Sequence, residues 1–475
     1  MAFLPRIIQG GMGAGVSSWV LARAVASRGQ LGVVSGTGLD SILVRRLQDG
    51  DIGGHMRRAM AHFPFPDFAE CALVRFFRSE GRTKSAPYKL IPLFRHPSDP
   101  ERDRLLVLAN FVEVFLAREG HDGDVGLNLL MKIQEPTLPS LYGAMLAGVA
   151  CVLMGAGIPR EIPGALDRLA AHQPASLRYD VTGDRDGALL EFDPATLWDG
   201  DAPRLARPQF LAIIASHALA TMLARKANGR VDGFVVEGPT AGGHNAPPRG
   251  KPVLNDRGEP VYGERDVVDL EAMSALGLPF WLAGGVGSPE GLAAAERSGA
   301  AGIQVGTLFA FCEESGLHDD YKRAVIAAAC RGQVDVLTDP RASPTGFPFK
   351  VVEAQGLPTV NGTRERVCDL GYLREAYRRE DGTIGHRCAS EPVDQYVKKG
   401  GSLEDTEGRR CLCNALLANI GLPMERKDGS VERPLLTSGD DLKILGRFLA
   451  GRDGYAAGDV LDYLLSEPAG GDSAV

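Results

Sequence analysis

The residues whose types and spacing suit chemistry fall in four glycine-rich clusters. One of them, Glu237-Gly238-Pro239-Thr240-Ala241-Gly242-Gly243-His244-Asn245, carries a histidine. An imidazole titrates near neutrality, so His244 is a candidate general base. An isolated histidine reads sooner as a surface or hydrogen-bonded loop side chain; placement after a strand, beside a barrel mouth, favours the base. Two further clusters are Ala283-Gly284-Gly285-Val286-Gly287-Ser288 and Val305-Gly306-Thr307. Glycine lets backbone amides approach an anion without a Cβ in the way. Thr307 adds a hydroxyl, and Ser288-Pro289-Glu290 reads as a helix start. Together these two clusters suit a phosphate group. The remaining cluster is Gln9-Gly10-Gly11-Met12-Gly13-Ala14-Gly15. It fails the G-x-G-x-x-G pattern, because the third glycine position falls on Val16 or Ser18. The next strand also ends in Ser35-Gly36 and not in an acidic residue, which argues against a dinucleotide site. Two readings remain: a strand end lying flat against a planar ligand, or a plain tight turn.

Each cluster follows a short apolar run. Residues 6–10, 31–36, 125–131, 151–155, 210–216, 233–238, 280–285 and 301–306 are strand-like, with helical patterns between several of them. One helix is expected over 17–27, with Ser17 or Ser18 as its cap. Repeated βα units imply a parallel sheet. Eight allow closure into a (β/α)8 TIM barrel, whose active site lies where these clusters fall. The fifth strand is the least defined. Residues 210–216 also fit one long helix to Ala227, and 176–181 and 188–192 compete for the place. The turn Asp184-Arg185-Asp186-Gly187 between that pair favours a hairpin insertion. The expected organisation is an α/β barrel over 1–335, with insertions at about 50–110 and 175–205. A C-terminal accessory or cap region is expected over 336–475, opening with a turn and linker at 338–348.

Composition sets outer bounds. The chain has 475 residues with 59 glycines, a net charge of −8 and 24% charged residues. A mildly acidic protein has no general attraction to nucleic acid or to an anionic membrane. No run of about 18 apolar residues suggests a spanning helix. A cytoplasmic location is expected, where cysteines act as thiols or metal ligands more than as disulfides.

The four clusters together resemble the nitronate monooxygenase family, formerly called 2-nitropropane dioxygenases. The resemblance runs over about residues 5–315. It is most specific in PRIIQGGMGAGVS (5–17), VEGPTAGGHN (236–245) and LAGGVGSPEGLAAAERSGAAGIQVGTLF (282–309). It implies FMN bound noncovalently in a barrel. The phosphate would rest on Gly284, Gly285, Gly306 and Thr307, with the isoalloxazine facing Gly10, Gly11 and Met12. Asn128 matches a flavin-contacting asparagine, Gln304 a polar position of the last strand, and His244, carried by Gly243, the active-site histidine. The implied reaction oxidises an alkyl nitronate with O2 to a carbonyl compound and nitrite. His244 would serve as base for a neutral nitroalkane, or as hydrogen-bond donor to the anion. The chain departs from the family at Pro239-Thr240-Ala241 and at 245–249. There Arg249, with Lys251, is either an anion attractor or a solvated loop charge.

Cys368, Cys388, Cys411 and Cys413 fall within 46 residues, with x19, x22 and x1 spacing. They are a candidate Zn or Fe–S site, with His386 as a substitute ligand, or they are independent thiols. The other four cysteines read as core thiols, and His217 as a packed, hydrogen-bonded side chain. Three functions stay open. They are a nitronate-oxidising FMN monooxygenase, an FMN-dependent NAD(P)H reductase of enoyl thioesters or quinones, and a flavin or metal accessory protein using the cysteine tail. The partners expected are a small-molecule substrate and O2, with no nucleic acid or membrane. A homodimer is left open.

Overall fold

The computed structural model describes residues 4–468 except 84–85, 201, 355–356 and 358–364. Eight strands form one parallel sheet: β1 (Ile7–Gln9), β2 (Gly32–Ser35), β3 (Val125–Leu130), β4 (Cys151–Gly155), β5 (Gln209–Ile214), β6 (Gly233–Glu237), β7 (Phe280–Ala283) and β8 (Gly302–Val305). Their spatial order runs β1-β8-β7-β6-β5-β4-β3-β2. The ends meet: Ile8 bridges to Leu31 in parallel. The Gln9 amide donates to the Leu31 carbonyl at 3.0 Å, and the Leu31 amide to the Ile7 carbonyl at 3.2 Å. The sheet is therefore the expected closed TIM barrel.

Period-two alternation fills its interior. Ile8, Val33, Leu153, Leu211, Val235 and Trp281 point inward and pack as one cluster. Each such side chain contributes about 1.5–3 kcal/mol on burial. The indole of Trp281 avoids an unpaired donor by giving a 2.7 Å bond to the Pro5 carbonyl.

The fifth strand resolves as β5, paired on one side with β4 and on the other with β6. The alternative of one long helix to Ala227 is corrected. The Ser216 hydroxyl accepts from the Leu219 amide and starts a separate helix, His217–Lys226. Ala175–Tyr179 and Ala188–Phe192 form the antiparallel hairpin that the 184–187 turn suggested. The first helix is shorter than expected, Trp19–Ala26, with Ser18 at its N-cap position. Ser17 is drawn away by the first glycine cluster. His217 is also corrected: its Nδ1 is buried without a hydrogen-bond partner among the described residues.

Beyond the barrel, β9 (Val334–Asp339) and β10 (Phe349–Ala354) form an antiparallel pair, so part of the expected linker is strand. Leu373, Leu412, Leu435, Leu445 and Val460 join the hydrophobic cluster that contains Ile7 and Val34. The C-terminal region thus packs onto the barrel through a shared core. Among the described residues, no helix is long and apolar enough to cross a membrane.

Candidate active site

The alternation that fills the barrel also builds the site. Two residues beyond each inward-facing position, the strands end in Gly10, Ser35, Asn128 and Gly155, then Ile213, Glu237, Ala283 and Gln304. All eight face one cavity at the C-terminal mouth, which holds about 1810 Å3 of empty space counted to its opening. Four of the eight floor residues are Gly, Ala or Ser, which keeps one side of the floor low. Glu237 is the only ionisable group in that ring.

The first glycine cluster is both a turn and a wall. The Ser17 hydroxyl donates to the Gly10 carbonyl at 2.8 Å and accepts from the Met12 amide at 2.9 Å. A Cβ on Gly11 would lie 2.3 Å from the Cβ of Asn128, so only glycine allows this approach. Across the mouth, Gly284 has φ of 89°, and a Cβ there would lie 2.8 Å from the Ala241 amide nitrogen. His244, Gly243, Gly306, Thr307 and Met12 line the same cavity. Gly285 does not. It lies behind Gly284, where a Cβ would meet the Thr240 hydroxyl at 3.1 Å.

The cavity has a roof from the C-terminal region. Residues 436–441 cross the mouth and line it, except for Asp440. The Gly439 amide donates to the Thr307 hydroxyl at 3.2 Å, and the Gly243 amide to the Thr437 hydroxyl at 3.0 Å. Lys350 is buried and ties this segment down, giving 2.9 Å bonds to Asp440 and to Thr338.

His244 sits where floor loop meets roof. Its Nε2 shares a 2.7 Å hydrogen bond with the Ser343 hydroxyl, and its ring meets Phe349 edge-on at 4.8 Å. Burial, and then the Lys132 ammonium, push its pKa well below the usual value, so the imidazole is neutral at physiological pH. Lys132 follows β3. Its Nζ is buried without a hydrogen-bond partner among the described residues, 3.4 Å from the centroid of the Phe347 ring. Burial lowers its pKa to about 7, opposed by Glu237. Burial raises Glu237 to about 7, opposed by Lys132.

Known proteins share sequence with this chain. The family model for nitronate monooxygenase matches residues 203–340, which carry β5 to β8 and the His244 loop. A Bacillus subtilis protein described as "Probable nitronate monooxygenase" is 36% identical over 98 residues, 21% of this chain and 26% of its own length. A Mycobacterium tuberculosis protein, (3aS,4S,5R,7aS)-5-hydroxy-7a-methyl-1-oxo-octahydro-1H-indene-4-carboxyl-CoA dehydrogenase, is 31% identical over 346 residues. That match covers 67% of this chain and 90% of the relative. The chain belongs to the nitronate monooxygenase family. Among solved structures, the nitroalkane oxidase of Streptomyces ansochromogenes aligns with 98% of this chain and 96% of its own, at 16% identity and a TM-score of 0.48.

Membership in the nitronate monooxygenase family makes the chain an oxidoreductase-type enzyme, and it sharpens what sequence reading missed. Glu237 was visible inside the His244 cluster, and its spacing of two from Val235 marks it as inward-facing. Lys132, Ser343 and residues 436–441 lie outside every family motif, and no spacing signal links them to the mouth. Arg249 is spent on structure, with its guanidinium donating to the Arg265 and Ala215 carbonyls at 2.6 and 2.8 Å.

The Zn or Fe–S expectation is corrected. No group of three or more His, Cys, Asp or Glu side chains among the described residues is arranged to hold a metal ion. Cys368, Cys388, Cys411 and Cys413 do border one small void. Cys411 is turned toward the Val367 carbonyl and the Asn414 amide, and Cys368 hydrogen-bonds Cys388. His386 is engaged elsewhere, at 2.9 Å from the Tyr179 hydroxyl.

Proposed function

We propose that this chain is an FMN-dependent oxidoreductase that oxidises alkyl nitronates with O2 to a carbonyl compound and nitrite. The observation that carries the reading is the convergence in one cavity of a glycine-lined end, a flat strand end and a buried histidine. The residues present suit FMN. Gly284, Gly306 and Thr307 leave room and donors for a phosphate. Gln304 faces the cavity with its side-chain oxygen buried and unpaired, which suits a ring N–H donor. Bound there, FMN supplies an electron acceptor that O2 can re-oxidise.

The chain's own residues then act on the substrate. The neutral His244 offers a hydrogen bond to a nitronate oxygen while Ser343 fixes its ring. The Lys132 ammonium adds positive potential beside an anionic substrate. The roof excludes water from the reacting carbon.

A second reading is hydride exchange with an acyl thioester. It is supported by the CoA-thioester dehydrogenase that matches over 90% of its length. Anaerobic mixing of the FMN-loaded protein separates the two. Bleaching of the flavin by ethyl nitronate or propionate 3-nitronate, with none by NAD(P)H, supports nitronate oxidation. Rapid bleaching by NAD(P)H supports the reductase reading. A protein that purifies colourless and binds no FMN removes both.

A further inference from the structure

Glu237 is the one ionisable side chain in the barrel-floor ring, and it also borders a second pocket on the far side of Gly238. Glu237 is half-buried at the barrel mouth, where a carboxylate is ordinarily paired. This one has no hydrogen-bond partner among the described residues. The charged and titratable groups around it are Lys132, His244 and Tyr262, with Arg249 and Asp266 in the second pocket and Asp441 on the roof. Most are already committed. His244 bonds Ser343. Tyr262 donates to the Ala246 carbonyl at 3.0 Å, and Asp266 accepts from the Arg249 amide at 2.9 Å. Arg249 holds backbone carbonyls, and Asp441 accepts from the Gly287 amide. Only Lys132 is left to answer Glu237, and its Nζ is also without a hydrogen bond.

We infer that Glu237, rather than His244, is the base that takes the proton from a neutral carbon acid, and that Lys132 is a positioning residue that favours its ionised form. The inference rests on the proposed function and names a substrate class for it: a nitroalkane with a C–H bond beside the nitro group. In the step the C–H bond breaks and its electron pair stays on the substrate as the nitronate. The proton goes to a Glu237 carboxylate oxygen. No oxidant is consumed until the nitronate has formed. His244 is poorly suited to the task, because Nε2 is engaged and an imidazolium in that buried place would face the Lys132 ammonium. A carboxylate with a titration point near neutrality, facing an open cavity, is well suited.

The test compares nitroethane with preformed ethyl nitronate. Glu237→Gln is expected to lower kcat/KM for nitroethane at least about 30-fold more than for ethyl nitronate. In the wild type the nitroethane rate should rise with pH through about 7, where Glu237 ionises. Lys132→Met removes the cation that favours the carboxylate, so that rise should move to higher pH. A purely structural role for Lys132 would lower the rate and leave the rise in place. Equal losses on both substrates in Glu237→Gln, or an unmoved rise in Lys132→Met, would overturn the inference. If the wild type oxidises neither substrate, the proposed function fails separately. Difference infrared spectroscopy then decides the remainder. A carboxyl signal titrating near pH 7 that is absent from Glu237→Gln supports the inference, and its absence from the wild type overturns it.

Discussion

The floor and the roof of the cavity are built by different means. The floor comes from eight strand ends, six of them placed two residues beyond a packed interior side chain and the other two beyond Gly126 and Gly302, all fixed by the hydrogen-bond ladder of the barrel. The roof comes from Phe349 and residues 436–441, with Asp440 turned away from the cavity. It is fixed by a few single bonds to floor loops, such as the Asp440 amide to the Thr240 carbonyl at 3.0 Å. A floor side chain changes only with its strand. A roof residue can change without disturbing any ladder. The geometry therefore assigns cofactor-facing positions chiefly to the floor and substrate discrimination chiefly to the roof.

Substitutions can break that division, beginning with the largest effect. Lys350→Met removes the 2.9 Å bonds to Asp440 and Thr338. It should cost about 3 kcal/mol in urea unfolding, since hydrogen bonds to a charged group contribute roughly 1.5–3 kcal/mol each. If roof and barrel share one core, the transition stays single. Two separated transitions would show the roof to be independent.

His244 stands at the junction. His244→Ala should lower kcat/KM for ethyl nitronate about 30-fold, or about 2 kcal/mol, with a smaller change in FMN affinity. Equal losses of both would place His244 with the cofactor. Ser343→Ala removes the hydroxyl that holds the ring, together with its bonds to Thr345. It should cost about fivefold in kcat/KM, or about 1 kcal/mol, with FMN affinity retained. Because His244 is pushed well below its usual pKa, the ethyl nitronate rate should show no histidine limb between pH 6 and about 8. A limb in that range would mean the imidazole is solvated.

The smallest expected effect concerns the tail cysteines. A strong chelator should leave the melting temperature unchanged, and elemental analysis should find no stoichiometric zinc or iron. Bound metal lost in Cys411→Ser would reverse that assignment.

The legibility of the molecule follows the same division. Short apolar runs, six of them closed by glycine, located the barrel strands, because a strand buried on both faces of a parallel sheet is apolar along its length; the fifth, 210–216, also fitted a helix. The floor positions Gly10, Asn128 and Gln304 followed from the strand ends and from the family resemblance. Gly285, expected beside the phosphate from the resemblance, stands outside the cavity lining, one residue beyond Gly284. Ser343 and Lys132 were invisible. Their roles depend on tertiary placement: Ser343 stands 99 residues from His244, and Lys132 finds its aromatic partner at Phe347. The cysteine spacing suggested a metal site because sequence shows proximity of thiols but not the direction in which each sulfur points.

The central claim is that the floor holds FMN. It is tested most directly by titrating FMN into the apoprotein, for the wild type and for Gly284→Val, with near-ultraviolet circular dichroism as a check on folding. Saturable binding of one FMN per chain is expected in the wild type. In Gly284→Val it should weaken at least about 100-fold, because a side chain there meets the Ala241 amide at a left-handed φ. Absent binding in the wild type, or equal affinity in a folded Gly284→Val protein, would contradict the claim.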